Sequence, residues 1–340
     1  MEGLYYHALA TALHGEYRTL KKQKDAYGTW ASAWHAYASI HKSGASPEKL
    51  WDALSQSGIQ IILNDDALFP FLLKEIPWPP FGFYMKGVLP PKDIPTVAIV
   101  GTRNATPSGK SLARNVAQSL ASRGVAIVSG LALGIDAEAH MGALEGKGHT
   151  VAVLAGGVDD FTPRTNAPLA TRILASGGAI LSEYPPGTPP LPHRFIERNR
   201  IVSGLAKAIF IVEAPEGSGS LATARFALDQ NRDVLVAPGT AIHPNYAGSH
   251  ALIRNGATLA TEAAHVLEAL GIDVRSTAAP LGLSLEETRM YEVLVSSAHP
   301  LPIDKIIELT NLKPNDANQA ISFLMIKHHI KETGNGYSIV

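Results

Sequence analysis

At 340 residues, with 46% hydrophobic and 17% charged residues, the chain has room for two or three domains and little disorder. Its apolar runs are strand-length, no secretory leader is visible and no cysteine occurs, so a membrane span, disulfides and thiolate metal sites are not expected and a cytoplasmic protein is. A net charge of −1 excludes a uniformly basic nucleic-acid binder.

Residues 1–80 are rich in helical patterning, as in HALATAL and WASAWHAYASI. Ser46 and Pro47 are placed to open a helix over SPEKLWDAL, and Gly58 to close it. Prolines 70, 77, 79, 80, 90, 91 and 95 then rule out a continuous helix, so this passage reads as an extended connector.

From residue 96 the pattern becomes periodic. Short apolar runs fall at 97–100, 125–128, 151–154, 179–181, 208–212, 234–236 and 257–259, with helical patterning between them. Runs apolar on both faces that alternate with helices predict a doubly wound parallel α/β sheet covered on both sides. Its ligand belongs at the carboxyl ends of the strands. After Gly271 the small-residue stretch STAAPLGLS reads as a linker. The tail over 283–340 follows as three helices and a hairpin turning at Gly334, Asn335 and Gly336, the outline of a winged helix.

Five polar loops follow the strands. The first, GTRNATPSGKS at 101–111, offers Gly101 for a tight turn, Thr102 and Ser108 as hydroxyls, and Arg103 beside a helix start, the makings of an anion site. It lacks both the dinucleotide and the P-loop spacing, and an ordinary strand–helix turn remains the alternative. The second, SGLALGIDAEAH, carries Gly130 and Gly134 for close backbone approach. The third, GGVDDFTPRTN, carries Arg164 and Asn166. The fourth, PHRFIERNR, combines Arg194, Phe195, Arg198, Asn199 and Arg200, and the fifth, APEGSGSLATA, sets Ser218, Gly219 and Ser220 at a helix start.

The cations differ in kind along the chain. Residues 96–280 hold twelve Arg against three Lys, whereas residues 1–95 hold Arg18 against eight Lys. Arginine's flat fork matches phosphate oxygens, provided those side chains converge. Several phosphate sites in series with a stacking ring suit a polynucleotide better than one nucleotide. Phe195 is open to either role, base platform or core ring, and the RNR arginines to phosphate contact or to pairing with Glu183 or Glu197. Asp136, Glu138 and His140 form no known acid–base or metal motif, so neither catalysis nor a metal or cofactor is expected, and His140 reads as a helix residue bonded to its neighbours. Over 281–340 five basic residues face seven acidic ones, too few for duplex binding.

Taken in order, VAIVGTRNATPSG, VSGLALGIDAEAH, GGVDDFTPRTN, ILSEYPPGTPP, the F-x-x-RNRIVSGL run, GSGSLATARFAL, VLVAPG and GSHALIRNGA resemble the DNA processing protein A (DprA, or Smf) family over most of 96–270. The resemblance implies an extended Rossmann-like domain (81–272) that binds single-stranded DNA, dimerises, and loads the RecA recombinase in natural transformation. Arg103 and Arg164 then match DNA-contact positions, and Phe195 matches the stacking aromatic. Residues 1–80 resemble the family's sterile-alpha-motif-like domain, and 283–340 its appended winged helix. Thr162, Thr165, Pro192 and Ile196 depart from the pattern. The alternative is a nucleotide-processing enzyme of the lysine-decarboxylase-like phosphoribohydrolase group, but APEGSGSLATA lacks that group's P-G-G-x-G-T-x-x-E signature.

Overall fold

A strand that is apolar at every position can be buried only between two layers, and the structure, a computed structural model describing residues 2–42, 44–272, 283–297 and 299–339, builds those layers. Contacts divide the chain into two compact units, Met1–Leu270 and Gly271–Val340.

The first unit opens with four helices, α1 (Glu2–Ala12), α2 (Tyr17–Tyr27), α3 (Trp30–His41) and α4 (Pro47–Gln56). Ser46 caps α4 by accepting from the Lys49 N–H at 3.3 Å, with Pro47 in the first turn. Among the described residues nine strands then form one sheet. They are β1 (Gln60–Leu63), β2 (Gly82–Gly87), β3 (Thr96–Val100), β4 (Ala126–Ser129), β5 (Thr150–Val153), β6 (Ala179–Ser182), β7 (Ala208–Ile211), β8 (Asp233–Val236) and β9 (Thr258–Leu259). Their order is β1-β2-β6-β5-β4-β3-β7-β8-β9.

The seven strands from β3 to β9 are mutually parallel and coincide with the seven apolar runs, so the doubly wound α/β fold is present as expected. Strands β1 and β2 were not foreseen. They pair antiparallel with each other, and β2 pairs antiparallel, through Tyr84↔Ser182, with β6. The proline-dense passage is therefore partly regular, holding β2 and the short helix α5 (Phe71–Lys74).

Helices α6 (Pro107–Ser122), α7 (Ile135–Glu145), α8 (Ala167–Ala175), α9 (Pro192–Gly204), α10 (Gly219–Asp229) and α11 (Ala247–Arg254) connect the parallel strands, and α12 (Ala263–Ala269) follows β9. Strand alternation splits the core: on β5, Val151 and Val153 face one cluster with Leu73, Ile201 and Leu205, while Ala152 faces another. That second cluster also takes Tyr6, Leu9, Trp30 and Trp34, so the N-terminal helices share a core with the sheet. The Tyr6 hydroxyl donates to the Gly82 carbonyl at 3.2 Å, and His7 Nδ1 meets the Tyr84 hydroxyl at 3.0 Å.

The chain runs outward from central β3 through β4, β5 and β6, then crosses back by α9 to place β7 on the other side of β3. That reversal leaves a crevice at the carboxyl ends of β3 and β7, the place where such sheets bind ligands.

In the second unit α13 (Leu285–Ser296), α14 (Ile303–Thr310) and α15 (Pro314–Ile326) precede a hairpin of β10 (Ile330–Thr333) and β11 (Gly336–Ile339). Gly336 has φ +126°, as its turn position required. Met290, Leu294, Ile306, Ile321 and Leu324 form its own core. The expected linker over 276–284 lies outside the described residues up to 282, as does Arg275.

Candidate functional site

The crevice is an open cleft of about 620 Å³. Gly101, Thr102 and Arg103 reach it from β3, Gly130 from β4, Phe195, Arg198 and Asn199 from α9, and Ser218, Gly219 and Ser220 from the start of α10. Four of the five polar loops thus meet in one place.

Close packing sets the first two loops. A Cβ on Gly134 would lie 2.4 Å from the Thr102 carbonyl oxygen, and the residue has φ +75°, so only glycine lets these loops touch. The buried Asp136 carboxylate accepts from the Gly130 N–H at 3.1 Å. Burial raises its pKa, against the opposing charge of Arg198 and the loop N–H groups.

Arg103 is exposed, and its guanidinium lies over the half-buried Phe195 ring, 4.8 Å from the centroid. Asn199 donates to the Gly219 carbonyl at 3.1 Å, tying α9 to α10. At that helix start Ser218 accepts from the Ser220 N–H at 3.3 Å. Arg198, only 4% exposed, forms the floor. It donates to the Gly130 carbonyl at 2.8 Å and to the Val153 carbonyl, and burial pushes its pKa down to about 10.

The remaining candidates lie outside the cleft lining. Arg164 is exposed, and no side-chain partner is found for it among the described residues. Its neighbour Asn166 is buried, donating to the Leu131 carbonyl at 2.9 Å and to Ala132 at 3.1 Å, which holds the third loop against the second.

Arg194 and Arg200 do not join the expected ring of cations. Both are buried and turn away from the cleft to fasten the N-terminal segment. Arg194 donates to Pro189 and His14 carbonyls at 2.7 and 3.3 Å and lies over the Tyr184 ring. Arg200 pairs with the buried Glu183 at 2.6 Å, the pairing foreseen for one of the RNR arginines. It also donates to the Trp78 carbonyl at 3.0 Å and lies over Tyr17. Burial disfavours its charge, but Glu183 outweighs this and its pKa is raised.

Ser108 stands at the start of α6, where an external anion was expected; an internal one is found. The Glu213 carboxylate, fully buried, accepts from the Thr106 N–H at 3.0 Å, the Thr106 hydroxyl, Asn245 Nδ2 at 2.9 Å and the Tyr246 hydroxyl at 2.9 Å. Ser108 bonds to Thr106, at 2.9 Å. Sequence reading passed over Glu213, Asn245 and Tyr246. The available signal was a carboxylate in the apolar run AIFIVEAP, which must find partners if buried.

Asp136, Glu138 and His140 do not converge. Glu138 pairs with Arg114 at 3.5 Å. His140 is enclosed in the core, as a helix residue bonded to a neighbour: Nδ1 lies 2.7 Å from Thr150 Oγ1, whose own proton goes to the Ile127 carbonyl. His140 Nδ1 is therefore the donor, and burial lowers its pKa to about 3. Among the described residues no helix is long and apolar enough to cross a membrane.

Comparisons agree with this geometry. The family described as DNA recombination-mediator protein A matches residues 60–271. The chain is 42% identical over 217 residues to Protein Smf of Escherichia coli (strain K12), covering 64% of this chain and 58% of that protein, less than two thirds of its length. The X-ray structure of DNA processing protein A from Streptococcus pneumoniae superposes with a TM-score of 0.59 at 36% identity, covering 66% of this chain and 83% of that one. The corresponding structure from Helicobacter pylori, described for its single-stranded DNA binding mode, gives 0.55 at 30% identity, covering 62% and 95%.

Proposed function

Since the chain belongs to the DNA recombination-mediator protein A family, we propose that its cleft holds single-stranded DNA, with Arg103 and Arg164 on phosphates and Phe195 against a base. The observation that carries this is the stacked pair: an exposed guanidinium over an aromatic ring at the mouth of an open cleft. One nucleotide presents a phosphate and a flat base within reach of such a pair, and a single strand presents them repeatedly. A duplex keeps its bases stacked on one another, so Phe195 gains nothing from it.

In this reading Asn199, Ser218, Gly219 and Ser220 line the strand's path, while Arg198 and Gly130 shape its floor. The cytoplasmic protein works without catalysis as a recombination mediator in natural transformation, dimerising through residues 81–272 and passing the strand to RecA. The family's description as a mediator of recombination supports that role. Residues 1–80 serve as a sterile-alpha-motif-like element and 283–340 as a winged helix for protein contact, its acidic balance suiting neither DNA form.

Filter binding of oligo-dT against duplex of equal length, over a salt series, tests this. Tighter binding of the single strand, weakening steadily with salt, is expected. Equal or stronger duplex binding overturns it, and hydrolysis of nucleoside monophosphates by the purified chain would turn the assignment toward an enzyme.

A further inference from the structure

A helix start attracts an anion, and at α6, where the Thr106 hydroxyl caps the Gly109 N–H at 3.0 Å, the chain supplies one itself, held by that capping residue. The Glu213 carboxylate sits against the first turn of α6 so closely that a Cβ on Gly109 would lie 2.1 Å from its Oε1. It accepts from the Thr106 N–H and hydroxyl, Asn245 and Tyr246, a donor set of the kind that receives a phosphate. The same residue's carbonyl accepts from the Thr102 N–H at 2.7 Å. The segment 102–106, which carries Arg103, is therefore pinned at both ends by one residue. Asn245 adds a bond to the Asn104 carbonyl at 3.0 Å within that segment.

We propose that Glu213 is a resident anion in the place of a phosphate. It denies the start of α6 to free phosphate and mononucleotides, and it holds the Arg103 loop in position for a polynucleotide. Glu213 is a positioning residue, acting through Arg103, and this role rests on the reading of the cleft as a single-strand site. Burial alone would favour the neutral acid, but the bonds from Thr106, Asn245 and Tyr246 prevail and hold its pKa below the usual range. Among the described residues no carboxylate is hydrogen-bonded to the start of α10. The strand's phosphates thus have the α10 side and Arg103, and not the start of α6.

The test uses the full chain with Glu213→Ala, inorganic phosphate and oligo-dT. In chloride buffer the variant is expected to bind oligo-dT about tenfold more weakly than the parent, since the loop loses two hydrogen-bond anchors. Low-millimolar phosphate then restores much of that affinity and raises the variant's melting midpoint saturably. In the parent, phosphate only weakens binding, as any salt does. Phosphate that leaves the variant unchanged, or acts on it as on the parent, overturns the proposal. Should the variant not fold, the carboxyl carbon of Glu213 in the parent is titrated by NMR. A group still ionised at or below the ordinary value of roughly pH 4.3 supports the resident anion, and one protonated near neutrality refutes it. A parent that fails to bind oligo-dT would sink the single-strand reading, while a saturable phosphate response of the variant would still uphold the occupied helix start.

Discussion

The two sides of α9 carry similar residues to different ends. On one, Phe195 and Asn199 open onto the cleft with Arg103 above the ring. On the other, Arg194 and Arg200 are sealed against the N-terminal helices and their lead-in, with Glu183, Tyr184 and Tyr17 as partners. A count of arginines does not distinguish these sides; burial and the nearest acceptor do. The sealed side governs whether the unit folds, and the open side governs what it holds.

Arg200→Ala should have the largest effect. It strands the Glu183 carboxylate, 3% exposed, without its cation, and is expected to cost about 3–5 kcal/mol of stability in denaturant unfolding. A loss below about 1 kcal/mol would erase the distinction between the sides.

The interior also sets a response to acid. Burial lowers the folded-state pKa of His140 to about 3, whereas an unfolded chain holds histidine near roughly 6.5, so below that pH the unfolded state binds more protons. Stability is complete above about pH 6.5 and falls toward pH 3, by up to about 1.4 kcal/mol per pH unit from this group. Unfolding curves of the parent and His140→Gln between these limits should diverge by that slope. The open side has no such dependence through His140.

Phe195→Ala should weaken oligo-dT binding by about 1–3 kcal/mol, the range for one stacked base, with little change in salt dependence. A loss of stability in place of affinity would assign the ring to the core. Smallest of all, removal of residues 273–340 should leave oligo-dT affinity within about twofold, because that segment lacks the positive charge that non-specific binding needs. A large loss would give the second unit a share in the site.

The parallel sheet was legible because its strands are apolar on both faces and recur between helices, as at VAIV and AIFIV. Strands β1 and β2 were not, since they join the sheet through a long-range, antiparallel pairing of β2 with β6 and prolines surround β2. The same holds for Arg194: its acceptor at His14 is 180 residues away in the chain, and no local pattern announces it. Arg103, Gly134 and Phe195 could be picked out because loop position and residue type suffice for them. Glu213 was missed because its partners come from two distant loops, one of which, around Asn245 and Tyr246, carries no recognisable motif.

The most direct measurement is filter binding of oligo-dT to the parent and to the double variant Arg103→Ala, Arg164→Glu across a salt series, with melting midpoints recorded alongside. The account predicts an unchanged midpoint, at least about tenfold weaker binding and a salt slope shallower by about 1.4, the share of two phosphate contacts on a single strand. A folded double variant that binds as tightly as the parent, with the same slope, would contradict it.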